Sequence, residues 1–367
     1  MPKGEAFFNP YRWVPVTKEA PALEPPHYHH RYVGLAGELE CTLTALTPFL
    51  IGSSKQPGQF ISSRRTKQLF IPATSLKGMI RSLVELVGNA TIPFDGDKAD
   101  EQHTLKHAAS GKGRTWKLDV AARMFGYLKG GDVFAGLVRF SDATCEHSEK
   151  APRVKVVVGQ PRPERHKPFY LPDRAQRKFY HHHPGAKSLT PAPSSITQVR
   201  EVSPLGPGSR FRFSVRFTNL RQEELALLLY ALTLEEEVTV TLSKDALGPE
   251  ASGSQTLRGP MRHKLGACKP AGGGSVQIEV VRMKVWDDVR TRYQGGQVQV
   301  HEWQGDDLCK EIERRTESIR KRRDPTMQAL RAMLIYTSDD PRKPVQYPSY
   351  AWFAQDKGKG TPLKPTL

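Results

Sequence analysis

Residues 210–217, with the sequence RFRFSVRF, alternate strictly between polar and large apolar side chains. This period of two predicts a strand with one buried and one solvent-facing side. Residues 38–47, ELECTLTALT, show the same alternation. Strands of this kind bury their apolar side against a second layer, so the chain is constrained to a sheet covered on one face.

Each of these strands is followed by a helical pattern. Apolar residues recur at helical spacing from Leu76 to Val87, with Thr74 or Ser75 as the predicted N-cap and Gly88 as the stop. A second helix is predicted to start at Asn219 and to contain the apolar run 225–234. Further strands are expected at 133–140, 236–242 and 276–280. Strand, helix and strand thus occur twice, which predicts an α+β, ferredoxin-like fold of the RNA-recognition-motif type.

The 367 residues divide into three predicted parts. Residues 1–37 are rich in proline and aromatic residues, and we expect an extended arm. Residues 38–290 form the core, with irregular insertions at about 90–118 and at 145–208, the second of which contains ten prolines. Residues 291–367 are expected to be a helical and basic extension, with Pro325 separating two helices.

The chain carries a formal net charge of +17, which favours a polyanionic partner. The excess is concentrated in three windows. Residues 41–84 contain six basic and no acidic residues, and 150–200 and 258–292 are also strongly basic. Solvated loops are the simpler explanation for any one window, but three windows together favour a shared binding groove.

Two segments are candidates for binding RNA. The start of the helix at 74–75 offers free backbone N–H groups, and Lys77 and Arg81 share its polar face after a long basic loop at 52–70. The glycine-rich loop 266–274 would let a phosphate or a base approach the backbone closely. The predicted RNA-binding residues are Lys55, Arg64, Arg65, Lys67, Thr74, Ser75, Lys77, Arg81, Lys264, Gly266, Lys269, Gly272, Gly273 and Gly274.

Five segments resemble the RAMP proteins, the backbone subunits of type III CRISPR effector complexes. They are the helix start IPATSLKGMIRS (71–82), RMFG (123–126) with AGLVRFSDA (135–143), residues 211–234, HKLGACKPAGGGSV (263–276), and the chain ends NPYRWVP and PVQYP with WF. The resemblance implies a core that grips CRISPR guide RNA paired with target RNA, beside other RAMP-type subunits. It also implies that the 145–208 insertion is a thumb that separates groups of base pairs.

Some relatives cut the target with an Asp in the loop after the first strand, using a divalent metal such as magnesium. The corresponding loop here, 52–70, contains no Asp or Glu. The resemblance therefore implies a subunit without target cleavage, and no catalytic residue is predicted. The alternatives are a metal-dependent endoribonuclease whose active residues lie elsewhere, or a subunit that caps or bridges the complex.

Other chemistry-bearing residues give weaker signals. Asp95, Asp97 and Asp100 fit a solvated turn better than a cation site, and Asp142 is expected to orient a loop. The histidines at 27, 29 and 30 and at 181–183 are expected at the surface or in contact with RNA. Cys145 and His147 are weak candidates for a structural zinc site, because no C-x₂-C pair is present. With neither an apolar membrane span nor a secretory leader, we expect a cytoplasmic protein.

Overall fold

The computed structural model describes residues 10–92, 109–111, 116–129, 131–157, 176–192, 199–247, 252–286, 295, 298–340 and 342. Asp95, Asp97 and Asp100 and the C-terminal segment PVQYP lie outside these residues. Within them, no helix is both long and apolar enough to cross a membrane.

Eighteen strands are described. They are β1 (Tyr11–Pro15), β2 (Leu35–Ala45), β3 (Phe70–Ile71), β4 (Ala109–Ser110), β5 (Lys117–Leu118), β6 (Tyr127–Lys129), β7 (Asp132–Phe134), β8 (Val138–Phe140), β9 (Ala143–His147), β10 (Val154–Val157), β11 (Gln176–Tyr180), β12 (Val199–Val202), β13 (Arg210–Leu220), β14 (Val238–Leu242), β15 (Gln255–Gly259), β16 (His263–Lys264), β17 (Ser275–Trp286) and β18 (Val300–Gln304). The α-helices are α1 (Ala73–Val87), α2 (Val120–Phe125), α3 (Gln222–Thr233), α4 (Lys244–Leu247), α5 (Gly305–Arg320) and α6 (Pro325–Leu334).

The centre of the main sheet has the strand order β17, β2, β13, β8, and all of its pairs are antiparallel. The two units β2–α1–β8 and β13–α3–β17 supply these four strands. A strand from the second unit therefore lies between the two strands of the first, which is the split βαβ arrangement. The α+β, ferredoxin-like fold expected from the sequence is confirmed.

The alternating segments are the two central strands. Leu39 and Leu43 of β2 and Phe211 and Phe217 of β13 are fully buried on one face of the sheet, where α1 and α3 pack. Neighbouring residues on the other face are partly or fully exposed. The predicted division of each strand into a core side and an open side is confirmed.

The start of α1 differs from the prediction. The N-cap residue is Pro72, and neither Thr74 nor Ser75 caps the helix with its side chain. Instead the Asp142 carboxylate accepts a hydrogen bond of 2.7 Å from the Ala73 backbone N–H. The cap thus comes from a loop almost seventy residues away, where local spacing could not place it. At the other end, Gly88 has a negative φ of −84°, and Asn89 adopts the positive φ instead.

Two other predicted boundaries were wrong. Asn219 does not start a helix; it belongs to β13, with a φ of 63°. Helix α3 begins after Arg221, whose backbone N–H donates to the Glu224 carboxylate at 3.0 Å. The predicted strand 133–140 is divided into β7 and β8. Gly136 lies between them and packs closely on α2, where a Cβ would lie 2.4 Å from the Phe125 carbonyl carbon.

The 145–208 insertion is more regular than expected. Its described residues include β10 and β12, which pair with each other, and β11, which pairs with β1 of the N-terminal arm. The sequence does not show these pairs because the partner strands lie tens to well over a hundred residues apart. The arm and the insertion are therefore joined beside α1, and α6 packs against β1.

Candidate nucleic-acid interface

Helix α1 separates two grooves. We call the first the lysine groove: it is bounded by α1, Trp13, β11 and residues 263–269, and has a volume of about 590 Å³. We call the second the hairpin groove: it lies between α1, β8 and the β6–β7 hairpin, with a volume of about 820 Å³. Ser75 lines the first groove, whereas Thr74, Lys77 and Arg81 line the second.

Three lysines converge on the lysine groove: Lys178, Lys264 and Lys269. Lys178 Nζ lies 3.7 Å from the centroid of the Tyr11 ring, and Lys269 Nζ lies 5.7 Å from that of Tyr180. None of the three forms an ion pair with a carboxylate in the described part of the chain. Positive charge is thus gathered here without a carboxylate partner in the described ranges.

Burial and mutual repulsion lower the pKa values of these lysines. Burial, together with the charge of Lys269, lowers the pKa of Lys264 to about 7 and that of Lys178 to about 8. Burial also lowers the pKa of Lys269. A bound anion would restore the charged form of each lysine and remove the mutual repulsion.

A further donor lies at the same groove. The Trp13 indole Nε1 is buried and has no hydrogen-bond partner among the residues that the structure describes. Buried donors in folded proteins are nearly always satisfied, so this one, at the edge of a cationic groove, would be stabilised by an acceptor. A phosphate oxygen has the required chemistry.

The glycine loop supports the lysine groove from beneath. Lys264 Nζ donates to the Gly273 carbonyl at 2.9 Å, and Lys269 Nζ donates to the Gly266 carbonyl at 2.6 Å. A Cβ at Gly272 would lie 2.3 Å from His183 Nδ1, and one at Gly274 would lie 2.2 Å from the Leu265 carbonyl oxygen.

These contacts correct the prediction that the glycines of the 266–274 loop bind RNA directly. Gly272, Gly273 and Gly274 are buried, so they face the protein and not a surface that RNA could reach. Gly266 is only partly buried and lines the groove, although its Cβ position is blocked by the Leu50 carbonyl oxygen at 2.4 Å. The glycines are required by the packing of the loop, and the surrounding lysines provide the charge.

The hairpin groove contains three cations. Lys77 and Arg139 form no hydrogen bond or ion pair with any residue that the structure describes. Burial, followed by the charges of Arg81 and Arg139, lowers the pKa of Lys77. Its ammonium group has no partner among the described residues, and its contact with a phosphate stays a prediction.

Arg81 is held differently. Its Nε donates to the buried Glu85 carboxylate at 2.8 Å and its Nη1 to the Gly126 carbonyl at 3.1 Å. Arg177 of β11 lies 3.0 Å from the other Glu85 oxygen. Burial raises the pKa of Glu85, and the two arginines oppose that shift. Arg81 is therefore first a structural residue that neutralises a buried carboxylate.

The remaining predicted cations lie apart from both grooves. Lys55, Arg64, Arg65 and Lys67 are exposed on the 52–70 loop. That loop is anchored by Phe60, whose ring lies 5.1 Å from Phe49 and 5.7 Å from Phe211, centroid to centroid. The loop is thus ordered against the core, and its basic residues form a separate exposed surface.

The open face of the sheet carries mixed charge. Arg216 pairs with Glu38 at 3.0 Å, Arg212 with Glu146 at 2.6 Å, and Arg282 with Glu40 at 3.1 Å. Arg212, Arg216 and Arg282 are therefore largely neutralised by carboxylates on this face.

The other candidates have internal roles. Asp142 caps α1, and His27 and His29 contact the backbone carbonyls of Asn219 and Ala135. His181 and His182 are buried, which corrects the expectation of a surface position. His182 bonds Ser275 Oγ and the Arg262 carbonyl at 2.8 and 3.0 Å.

The weak zinc candidates do not converge in the part of the chain that the structure describes. The Cys145 thiol contacts the His147 backbone carbonyl, and the His147 ring pairs with Glu149 at 2.7 Å. Among the described residues, no group of three His, Cys, Asp or Glu side chains is arranged to hold a metal ion.

Three residues that line the grooves were not among the predicted RNA-binding residues: Trp13, Lys178 and Arg139. Lys178 lies in the most basic window, Arg139 in the segment AGLVRFSDA and Trp13 in the N-terminal NPYRWVP, so each was in a segment already singled out. Only the β1–β11 pairing and the position of β8 bring them to α1.

Comparison with known proteins supplies a family. A model of the RAMP superfamily matches residues 42–250, more than half of the chain, and includes α1, β8, β13 and α3. No curated protein matches the sequence. Proteins of this superfamily are generally RNA-binding subunits of CRISPR–Cas systems. The match and the split βαβ sheet agree: this chain belongs to the RAMP superfamily.

Proposed function

We propose that this protein binds CRISPR guide RNA as a backbone subunit of a type III effector complex, and that it does not itself cleave the paired target RNA. The observation that carries the proposal is the lysine groove. Lys178, Lys264 and Lys269 face one cavity without a described carboxylate partner, beside a buried indole donor that lacks an acceptor.

The chemistry of the two grooves favours the RNA backbone as the ligand. Both place ammonium or guanidinium groups along α1, and phosphates are the anions that an RNA strand presents at regular intervals. Contacts to phosphates carry no sequence information. A subunit that holds guides of many sequences needs this mode of binding.

The proposed absence of target cleavage depends on the 52–70 loop. The loop contains no carboxylate, and Asp142, which lies at the start of α1, is engaged with the Ala73 N–H. Metal-assisted phosphoryl chemistry generally requires carboxylate oxygens to hold the ion.

The first test is guide retention. We would purify the protein with its partner subunits and a guide RNA, and compare Lys178→Gln/Lys269→Gln with Lys310→Gln/Lys321→Gln. The control lysines are exposed and lie outside both grooves, Lys310 on α5 and Lys321 at its C-cap, and their substitution removes the same charge. We expect the groove variant to lose guide and the control to retain it. Equal retention by both would contradict the proposal.

The second test concerns cleavage. The assembled complex is incubated with labelled complementary RNA, with and without Mg²⁺, while every partner nuclease is inactivated. We expect no cutting. Cutting that persists would assign an endoribonuclease activity to this chain. Normal assembly with guide contacts confined to other subunits would identify a capping or bridging subunit.

A further inference from the structure

The β6–β7 hairpin exposes an aliphatic pair beside the cations of the hairpin groove. Leu128 is 77% exposed and Val133 is 65% exposed, and the two residues are directly opposite each other across the hairpin. Most large aliphatic side chains of this chain are buried, so the pair forms an apolar surface without an internal partner among the described residues.

The opposite face of the hairpin fixes its position. Phe134 and Tyr127 pack edge-on against Trp116, with ring centroids 5.9 and 6.1 Å apart, and Phe134 also lies 5.5 Å from the His29 ring. His29 in turn bonds the Ala135 carbonyl at 2.7 Å. The hairpin is therefore anchored on one side, and its aliphatic side is held towards the groove.

The composition of the groove selects the class of ligand. Leu128 and Val133 line it together with Lys77 and Arg139, and no carboxylate lines it. A ligand that complements these walls combines an anion with an apolar surface. The groove has a volume of about 820 Å³, which falls within the usual range of small-ligand sites, ~300–1,000 Å³. A nucleotide is of a size that such a groove accommodates.

We propose that the hairpin groove holds one unpaired nucleotide of the bound RNA, with its base against Leu128 and Val133 and its phosphate at Lys77 and Arg139. This inference rests on the proposed RNA-binding function. Aliphatic side chains that contact or separate bases are an established means of binding nucleic acids, and they tolerate every base because each has an apolar face.

The test compares two ligands that differ only in their bases. The full-length protein is titrated with a single-stranded oligouridine and with an abasic ribose–phosphate oligomer of the same length. We expect Leu128→Thr/Val133→Thr to lose about fivefold in affinity for the RNA and nothing for the abasic oligomer, because only the base loses an apolar contact. Threonine retains the β-propensity of the hairpin.

The matched control is Val33→Thr/Val300→Thr, which alters two exposed valines outside the groove and should change neither affinity. Unchanged binding of both ligands by the hairpin variant would overturn the base contact. A hairpin variant that binds RNA normally but no longer co-purifies with a partner subunit would overturn it too, because the aliphatic pair would then contact protein. If the unaltered protein binds RNA and the abasic oligomer equally well, the base contact fails and the RNA-binding proposal stands. If it binds neither, both fail.

Discussion

At the scale of single residues, Asn219 ties the N-terminal arm to the core. Its side-chain oxygen accepts from the Val33 and Gly34 N–H groups, both at 2.8 Å, and its amide donates to the Tyr28 and Arg31 carbonyls at 3.0 and 2.8 Å. The residue is buried and has a positive φ, which asparagine tolerates better than most residues. One side chain therefore organises the turn from which β2 begins.

We expect Asn219→Ala to lower the free energy of unfolding by about 3 kcal/mol, because several buried backbone groups lose their partner. Urea denaturation would measure the change. Asn89→Ala is the comparison: it also has a positive φ, and its amide donates to the Glu19 carbonyl at an exposed position, so the expected loss is smaller. Equal losses would show that backbone conformation, and not the four hydrogen bonds, determines the effect.

The lysine groove predicts that RNA binding weakens as the pH rises from 7 to 9. The pKa of Lys264 is lowered to about 7 and that of Lys178 to about 8 in the free protein, so both lose their protons over this range. RNA requires the charged forms, and binding at pH 9 must therefore take up protons. Because both lysines must be charged in the complex, the affinity should fall by roughly two to three orders of magnitude.

The same shifts have the opposite sign for folding without RNA. The unfolded chain keeps these lysines protonated up to about pH 10.4, so their neutral forms favour the folded state as the pH rises above 7. Lys264→Arg, which stays charged, should flatten the pH profile of RNA binding. An unaltered protein whose affinity is constant from pH 7 to 9 would contradict the assignment of the groove.

At the scale of elements, two cations on the same face of α1 have different tasks. Lys77 faces the hairpin groove with an uncompensated charge, whereas Arg81, one turn later, neutralises the buried Glu85. The spacing of four residues correctly placed both side chains on one face of the helix. It could not reveal that Glu85, on the same helix, is buried and depends on Arg81.

Substitutions on α1 should separate these tasks. Lys77→Ala should change stability by less than about 0.5 kcal/mol but reduce the steepness of the salt dependence of RNA binding by about 0.7 in the log–log slope. Arg81→Ala should cost about 2–3 kcal/mol in stability, because the buried Glu85 keeps only Arg177. Thermal unfolding and RNA titration measure the two effects, and Arg81→Gln/Glu85→Gln should recover part of the stability. Equal stability losses for Lys77→Ala and Arg81→Ala would contradict this division.

The elements also show which features a sequence can reveal. Strands β2 and β13 and helix α1 were predictable because their periodicity repeats over several turns or residue pairs. The caps of α1, and strands β1 and β11, were not, because Asp142 and the pairing strands are distant in sequence. Lys77, Lys264 and Lys269 were found by local charge. Lys178, Arg139 and Trp13 needed the folded arrangement.

At the scale of the whole molecule, the net charge of +17 is divided between distinct surfaces. The open sheet face carries several ion pairs, such as Arg216 with Glu38, so its positive and negative charges are close to balanced. The grooves on both sides of α1 and the exposed 52–70 loop carry positive charge instead. The polyanion is therefore expected to follow α1 and not the open face of the sheet.

The salt dependence of RNA binding tests this account most directly. Single-stranded RNA is titrated into the full-length protein at several salt concentrations. Because Lys77, Arg139, Lys178, Lys264 and Lys269 each face a groove, we predict a log–log slope of about −3 or steeper. Lys178→Gln/Lys269→Gln should weaken that slope by about 1.4, and Lys310→Gln/Lys321→Gln should leave it unchanged. A slope near zero, or one that the two pairs of substitutions alter equally, would contradict the account.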